Sequence, residues 1–179
     1  MRKTILVFGL IAGAIVSIML LVMMVLSKNN ARHFDNGELV GYTSMLLAFS
    51  LIFIAVKSYR DRYGAGAISF KDAFLLGLGI TAVASALYVF TWVVFYTNFY
   101  PTFPEDYAQY ALEKMKQKGS TAAELSQAQA DIRNAFSYYD TWYGLIGITF
   151  LEIFPVGLLL SLICALILRR KPAARVVSS

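Results

Sequence analysis

One carboxylate, Glu152, interrupts the last long apolar stretch of this sequence. It lies in "GLIGITFLEIFPVGLLLSLICALIL" at positions 144–168, a stretch that holds no other charged residue. Charged side chains are costly inside a membrane, so such residues usually face a partner group or a water-filled cavity. Glu152 is therefore our candidate functional residue. It would act as a hydrogen-bonding group in a bundle or as the carboxylate of a small transporter, unless a later helix start places it near the headgroups.

A second stretch with chemical potential is "GAGAIS" at positions 64–69, a Gly-x-Gly-x-x-Ser run. A phosphate-binding loop needs a strand before it and, in the nucleotide-binding class, a Lys-Ser/Thr pair after it. The preceding residues are instead the end of an apolar block, and the Lys-Ser/Thr pair is missing. We therefore predict a connector in which Gly64 and Gly66 reverse the chain and Ser69, with Asp72, caps the next helix.

Catalytic and metal-binding constellations are not evident. The one histidine, His33, has only Asp35 beside it, and the one cysteine, Cys164, lies in the last apolar block. A metal site would need more ligands, and nucleic-acid binding would need a basic patch on a recognisable fold. We expect no enzyme activity, no catalytic, cofactor-binding or metal residues, no cofactor and no nucleic acid partner.

The elements that position Glu152 are indicated by composition. The chain is 58% hydrophobic and 15% charged, whereas soluble domains carry about 25% charged residues. Four apolar blocks, 5–26, 39–56, 73–96 and 144–168, have the length of about 20 residues that a membrane helix needs. We predict a single all-α integral membrane domain over residues 1–179, with four transmembrane helices and the bilayer as its first partner.

The first block could be a cleaved signal peptide or a retained span. Its 22 apolar residues exceed a typical signal-peptide core, and no Ala-x-Ala site follows, which favours retention. Ten of the sixteen basic residues lie before the first block, between the second and third, or after the fourth. Since basic flanks stay in the cytoplasm, we expect both termini to be cytoplasmic.

The long third connector predicts an extracytoplasmic amphipathic helical hairpin at about 102–139. A Thr102–Glu105 capping box and Gly119 bound its first helix, and Thr121 with Glu124 starts the second. The second helix has an apolar stripe, which we expect to pack on the first helix, with the membrane surface or a partner protein as the alternatives. The stripe consists of Leu125, Ala128, Ile132, Phe136 and Tyr139, and its predicted counterpart of Tyr107, Tyr110, Ala111 and Met115.

Two further patterns concern packing. Aromatic residues cluster at both ends of this connector, including Tyr88, Trp92, Tyr100 and Trp142, and predict an interfacial belt, with a ligand-binding aromatic site as the alternative. Small residues recur at helical spacing in three blocks, which permits close helix approach either within the bundle or in a homo-oligomer. These small residues are Gly9 and Gly13; Ala73, Gly77, Thr81 and Ser85; and Gly157, Ser161 and Ala165.

Three stretches resemble, in the same order, the bacterial four-helix membrane proteins catalogued as domain of unknown function 4199. They are "GYTSMLLAFSLIFIAVKSYRD" (41–61), "ISFKDAFLLGLGI" (68–80) and "PVGLLLSLICALILRRK" (155–171). The resemblance implies an integral membrane location with four helices, and hence the bacterial inner membrane. It implies no activity and no catalytic residue.

Together these patterns lead us to expect a non-enzymatic component of the bacterial inner membrane that binds or stabilises a membrane-protein partner. The alternative is a small transporter that uses Glu152.

Overall fold

The computed structural model describes residues 1–29 and 37–170, and the elements within these ranges are helical. Four segments are long and apolar enough to cross a membrane: Arg2–Lys28, Leu39–Tyr63, Phe70–Phe99 and Trp142–Leu168. The helices are α1 (Arg2–Asn29), α2 (Gly37–Phe49), α3 (Leu51–Tyr63), α4 (Phe70–Phe99), α5 (Phe103–Gln117), α6 (Ala122–Phe136) and α7 (Trp142–Leu168), with a 3₁₀ turn at Ser137–Asp140.

The helices extend beyond the apolar blocks, because polar residues at their ends continue the helical hydrogen-bond pattern. The second span has a local break at Ser50, between α2 and α3. The Ser50 hydroxyl donates to the carbonyl of Leu47 (2.6 Å), and Phe53 N–H bonds to the Ser50 carbonyl, three residues back (3.0 Å). Such side-chain bonding to a preceding carbonyl often bends a helix.

α4 is the central helix and packs along both α1 and α7. Small residues make this possible. A Cβ added at Gly9 or Gly13 would meet Val83 or Ala84 on α4, and one added at Gly77 or Gly157 would meet Ser161 or Thr81 across the α4–α7 contact. The small-residue stripes therefore serve packing within the bundle.

The bundle is apolar inside and outside. Phe49, Ile52 and Ile80 are fully buried at its centre, whereas Leu47, Phe90 and Leu151 are among many large apolar side chains that stay exposed. Contiguous exposed apolar surface of this extent is not tolerated in water by monomeric proteins. It suits hydrocarbon, which agrees with the four candidate spans.

The connector between α3 and α4 reverses the chain, with Gly66 in the predicted role. Gly64 has a negative φ (−101°) and instead permits the close approach of the Ala67 carbonyl, which an added Cβ would overlap. Ala65 and Gly66 have positive φ (47° and 83°), and the Ser69 hydroxyl accepts from Asp72 N–H (3.0 Å) to cap α4. Ile68 and Arg170 exchange two backbone hydrogen bonds (3.0 Å each). This pairing brings the end of α7 to the connector, at what we call the basic end of the bundle.

α5 and α6 follow each other at the opposite end, the hairpin end. Gly119 (φ 84°) terminates α5, and Thr121 and Glu124 form the predicted capping box of α6. Bonding to Thr121 lowers the pKa of Glu124. The box predicted at Thr102 is wrong. Thr102 is not extended (φ −83°, ψ 6°), and its hydroxyl bonds instead to the Asp106 carboxylate (3.2 Å).

The aromatic clusters are only partly an interfacial belt. Trp142 is 76% exposed, as a belt requires, but Trp92 and Tyr100 are 4% and 1% exposed. Trp92 packs on Phe103 at the start of α5 (ring centroids 5.2 Å), and Tyr96 packs on Tyr139 (5.2 Å). These rings join the hairpin to the bundle, because contacts among large apolar rings outweigh their preference for the interface.

Candidate functional site

A cavity of about 690 Å³ lies at the hairpin end, between α1 and α2 and beneath α5; we call it the main cavity. α1 lines it from Val16 to Met24 and α2 from Gly37 to Met45. Because each of these segments advances by eight residues, the cavity extends about 12 Å along the bundle. α5 lies over its mouth, and Tyr88 and Glu152 line it from α4 and α7.

Glu152 lies at the deep end of the main cavity. It is ten residues into α7, about 15 Å along the helix from its start. The hydroxyl of Tyr88 donates to Glu152 Oε1 (3.3 Å). Tyr88 is only 4% exposed, whereas the Glu152 side chain keeps exposed surface and lines the cavity. The carboxylate is therefore held from one side by α4 and open to the cavity on the other.

The wall between mouth and deep end is rich in methionine. The sequence has six methionines, and all but Met1 line the main cavity: Met19, Met23, Met24, Met45 and Met115. Methionine is flexible and polarisable, so a wall of this kind adapts to occupants of different shape. The remaining lining adds aromatic rings, among them Tyr42, Phe103 and Tyr107.

The mouth carries positive charge from α5. Lys114 and Lys118 both line it, and the Lys114 ammonium donates to the Tyr110 hydroxyl (3.3 Å) while lying over the same ring. Glu152 forms no ion pair with either lysine within residues 1–29 and 37–170. The cavity thus has basic side chains from α5 at its mouth and an acidic side chain from α7 at its deep end.

The phenol of Tyr139, which lies within electrostatic reach of Glu152, is neutral at physiological pH. Burial raises the pKa of Tyr139 to about 12, and the negative charge of Glu152 adds to this effect. At the edge of the hairpin, burial likewise raises the pKa of Tyr100 to about 12, and hydrogen bonding to Asp106 contributes. Both phenols stay protonated below pH 10, and among the described lining residues Glu152 is the one carboxyl group of the main cavity.

The Gly-x-Gly-x-x-Ser connector does not form a phosphate cradle. The amides of Gly64 and Gly66 both bond to the Arg60 carbonyl (3.0 and 3.2 Å), and Ala67 N–H bonds to Gly64. A cradle needs these donors to point at the ligand. Here they close the turn itself.

The sequence predicted Glu152 as a functional residue. The structure places it beside Tyr88 and in a cavity lined by methionines, to which the sequence analysis gave no functional role. Tyr88 was assigned to the aromatic cluster, and the methionines had no assigned role. The sequence did hold one indication of the methionine wall, because Met19, Met23 and Met24 lie on adjoining faces of α1.

His33 and Asp35 lie outside the described residues. Within those residues, no group of three or more His, Cys, Asp or Glu side chains could hold a metal ion.

No curated protein matches this chain. No solved structure matches it either. The model of one family, described as "Protein of unknown function (DUF4199)", matches residues 7–170. This match covers most of the first candidate span, all of the other three, the hairpin and the main cavity. The chain therefore belongs to the DUF4199 family.

Proposed function

We propose that this protein binds a small molecule with an apolar body and a polar end in the main cavity. One observation carries the proposal: Glu152 is accessible in a cavity of about 690 Å³ whose walls are mainly apolar. Cavities of about 300–1,000 Å³ with apolar walls and few polar groups are typical of small-molecule sites. Keeping a carboxylate within a membrane-spanning helix costs free energy, and a ligand that binds to the carboxylate can offset this cost.

The proposed role is non-enzymatic binding. We further propose that the protein moves the bound molecule across or out of the bilayer. The cavity opens at the hairpin end and stops beside Glu152, close to the middle of the bundle. On the basic-residue distribution, this end faces away from the cytoplasm of a bacterial inner membrane. A molecule bound at Glu152 would then be held halfway between the two sides.

Binding of a protein partner through the hairpin remains a second prediction, with less support. The α6 stripe is half-buried, and α6 packs against α5. In the described part of the hairpin, no large apolar side chain of α6 is exposed. A protein partner would therefore have to bind another face, or the exposed surface of the bundle, where a homo-oligomer could also form.

Filling the cavity tests the proposal. Gly41 lines the main cavity, and a Cβ added there meets nothing within 4 Å, so Gly41→Phe should occupy the space without disturbing the backbone. The probe is a neutral alkyl alcohol carrying a photoreactive diazirine, used on protein in nanodiscs and mapped by mass spectrometry. We expect adducts on the lining segments of α1, α2 and α7 in the wild type, and at least a fivefold loss in Gly41→Phe.

The matched control is Gly147→Phe. Gly147 is also open to added atoms, but it lies on α7 outside the cavity lining. Labelling should be unchanged in this variant. Equal labelling of the cavity segments in the wild type and Gly41→Phe would contradict the proposal.

A further inference from the structure

We infer that the main cavity selects hydrophobic cations, such as organic ammonium or phosphonium ions, and holds the positive centre at Glu152. This inference rests on the proposed function and names its ligand class. It follows from the charge at the deep end, from the nature of the wall and from the position of the two lysines.

Within residues 1–29 and 37–170, no basic side chain lies beside Glu152 at the deep end or forms an ion pair with it. A carboxylate can accept about four hydrogen bonds, and Tyr88 supplies one of them, at 3.3 Å. None of the deep lining residues Val16, Ser44, Met45 and Tyr88 is basic. A cation would offset the cost of the unpaired charge in this apolar setting, whereas an anion would increase it.

The wall also favours a cation with an apolar body. Tyr42, Tyr88, Phe103 and Tyr107 present aromatic rings to the cavity, and ring faces attract cations, most strongly where water is excluded. The methionines contribute soft, mobile surface that can close around different bodies, as at other promiscuous binding sites. A single rigid ligand would not require so adaptable a wall.

The lysines at the mouth raise the opposite alternative, an anionic amphiphile. Its head would bind Lys114 and Lys118, and its tail would reach the deep end. This arrangement would place hydrocarbon against the Glu152 carboxylate and remove the carboxylate from polar partners, which is energetically unfavourable. The lysines belong to α5, beyond the spans, and Lys118 is exposed. Salt screens such charges in water, whereas Glu152 acts in a low dielectric, where the same charge counts for more.

Two ions of matched shape and opposite charge provide the test. Tetraphenylphosphonium and tetraphenylborate are each titrated calorimetrically into detergent-purified protein, and specific binding is the part that Gly41→Phe abolishes. We expect specific binding of the cation and a weaker or undetectable response to the anion. Glu152→Gln should lower the affinity for the cation at least about tenfold, because it removes one member of a desolvated charge pair.

Controls separate charge from folding. Glu152→Asp keeps the carboxylate and should retain the preference for the cation. Glu113→Gln makes the same chemical change at an exposed α5 position outside the lining, so cation affinity should not change. Melting curves and gel filtration must match the wild type in every variant compared.

The outcomes distinguish this inference from the proposed function. Stronger specific binding of tetraphenylborate, or cation binding that Glu152→Gln leaves unchanged, overturns the inference. If neither ion binds but the neutral photoprobe still labels the cavity, the cation inference fails and the proposed function stands. If the photoprobe also fails to label the cavity, both are overturned.

Discussion

Gly157 illustrates how one absent side chain sets the distance between two helices. An added Cβ there would overlap the Thr81 side chain and approach Phe49. Thr81 and Ser161 are fully buried, and their hydroxyl groups hydrogen-bond across the α4–α7 contact (3.1 Å). The same pair of helices carries Tyr88 and Glu152, so this spacing also determines whether the Tyr88 hydroxyl reaches the carboxylate.

At the residue scale we therefore predict that Gly157→Val destabilises the bundle by about 1–3 kcal/mol, the usual cost of overpacking a core. Gly147→Val is the matched control, since an added Cβ there meets nothing within 4 Å. Thermal melting in detergent should show a lower Tm for Gly157→Val and little change for Gly147→Val. Equal melting temperatures would mean that the α4–α7 contact is looser than described.

At the element scale, α5 of the hairpin contacts both the main cavity and α6. Tyr107, Tyr110, Ala111 and Met115 of α5, which were predicted to receive the α6 stripe, also line the main cavity. The Tyr107 ring contacts Phe136 of that stripe (centroids 5.6 Å). α5 is thus sandwiched between α6 and the cavity, and loss of α6 packing should loosen the mouth.

Replacing Leu125 and Ile132 with Asp tests this packing. Both side chains are half-buried on α6, and burying two unpaired carboxylates there is unfavourable. We predict faster proteolysis within residues 103–136 and, as a consequence, weaker photoprobe labelling of the cavity. The control carries Asp at Ala123 and Ala130, which are exposed on the same helix. If both double variants are cleaved at the wild-type rate, α6 is not packed against α5.

At the scale of the whole molecule, the two ends of the bundle differ in charge. The basic end collects Arg169 and Arg170 of α7 beside the α3–α4 connector, through the Ile68–Arg170 backbone pair. At the hairpin end, Lys28 of α1 donates to the carbonyl of Phe99 (2.7 Å) and so ties the first span to the third. Basic flanks are retained in the cytoplasm, so the hairpin should face away from it.

Cysteine labelling tests this orientation. In a Cys164→Ala background, Gln117→Cys at the end of α5 should react with an impermeant maleimide in intact spheroplasts. Tyr63→Cys, at a position 72% exposed at the basic end, should react only after lysis. The reverse pattern would invert the topology and would place the mouth of the main cavity on the cytoplasmic side.

The sequence by itself determined the features that depend on local composition and short spacing. Four apolar blocks sufficed to indicate four spans, because crossing a bilayer depends mainly on length and hydropathy. The caps at Ser69 and Thr121 were predictable because a side chain bonds an amide three residues ahead. The resemblance in three ordered stretches likewise indicated the family that the match over residues 7–170 shows.

Only the tertiary structure decided what lies beside Glu152. Residues 88 and 152 are 64 positions apart, and no periodicity specifies that the Tyr88 hydroxyl reaches the carboxylate. An apolar face looks the same in sequence whether it meets lipid, another helix or a cavity. The spacing of Met19, Met23 and Met24 therefore could not show that they line a cavity, and the burial of Trp92 was not predictable either. At the start of α5, where the cap predicted at Thr102 is absent, Phe103 makes long-range ring contacts with Trp92 and Phe136. Long-range packing selects among the faces that local patterns only mark as apolar.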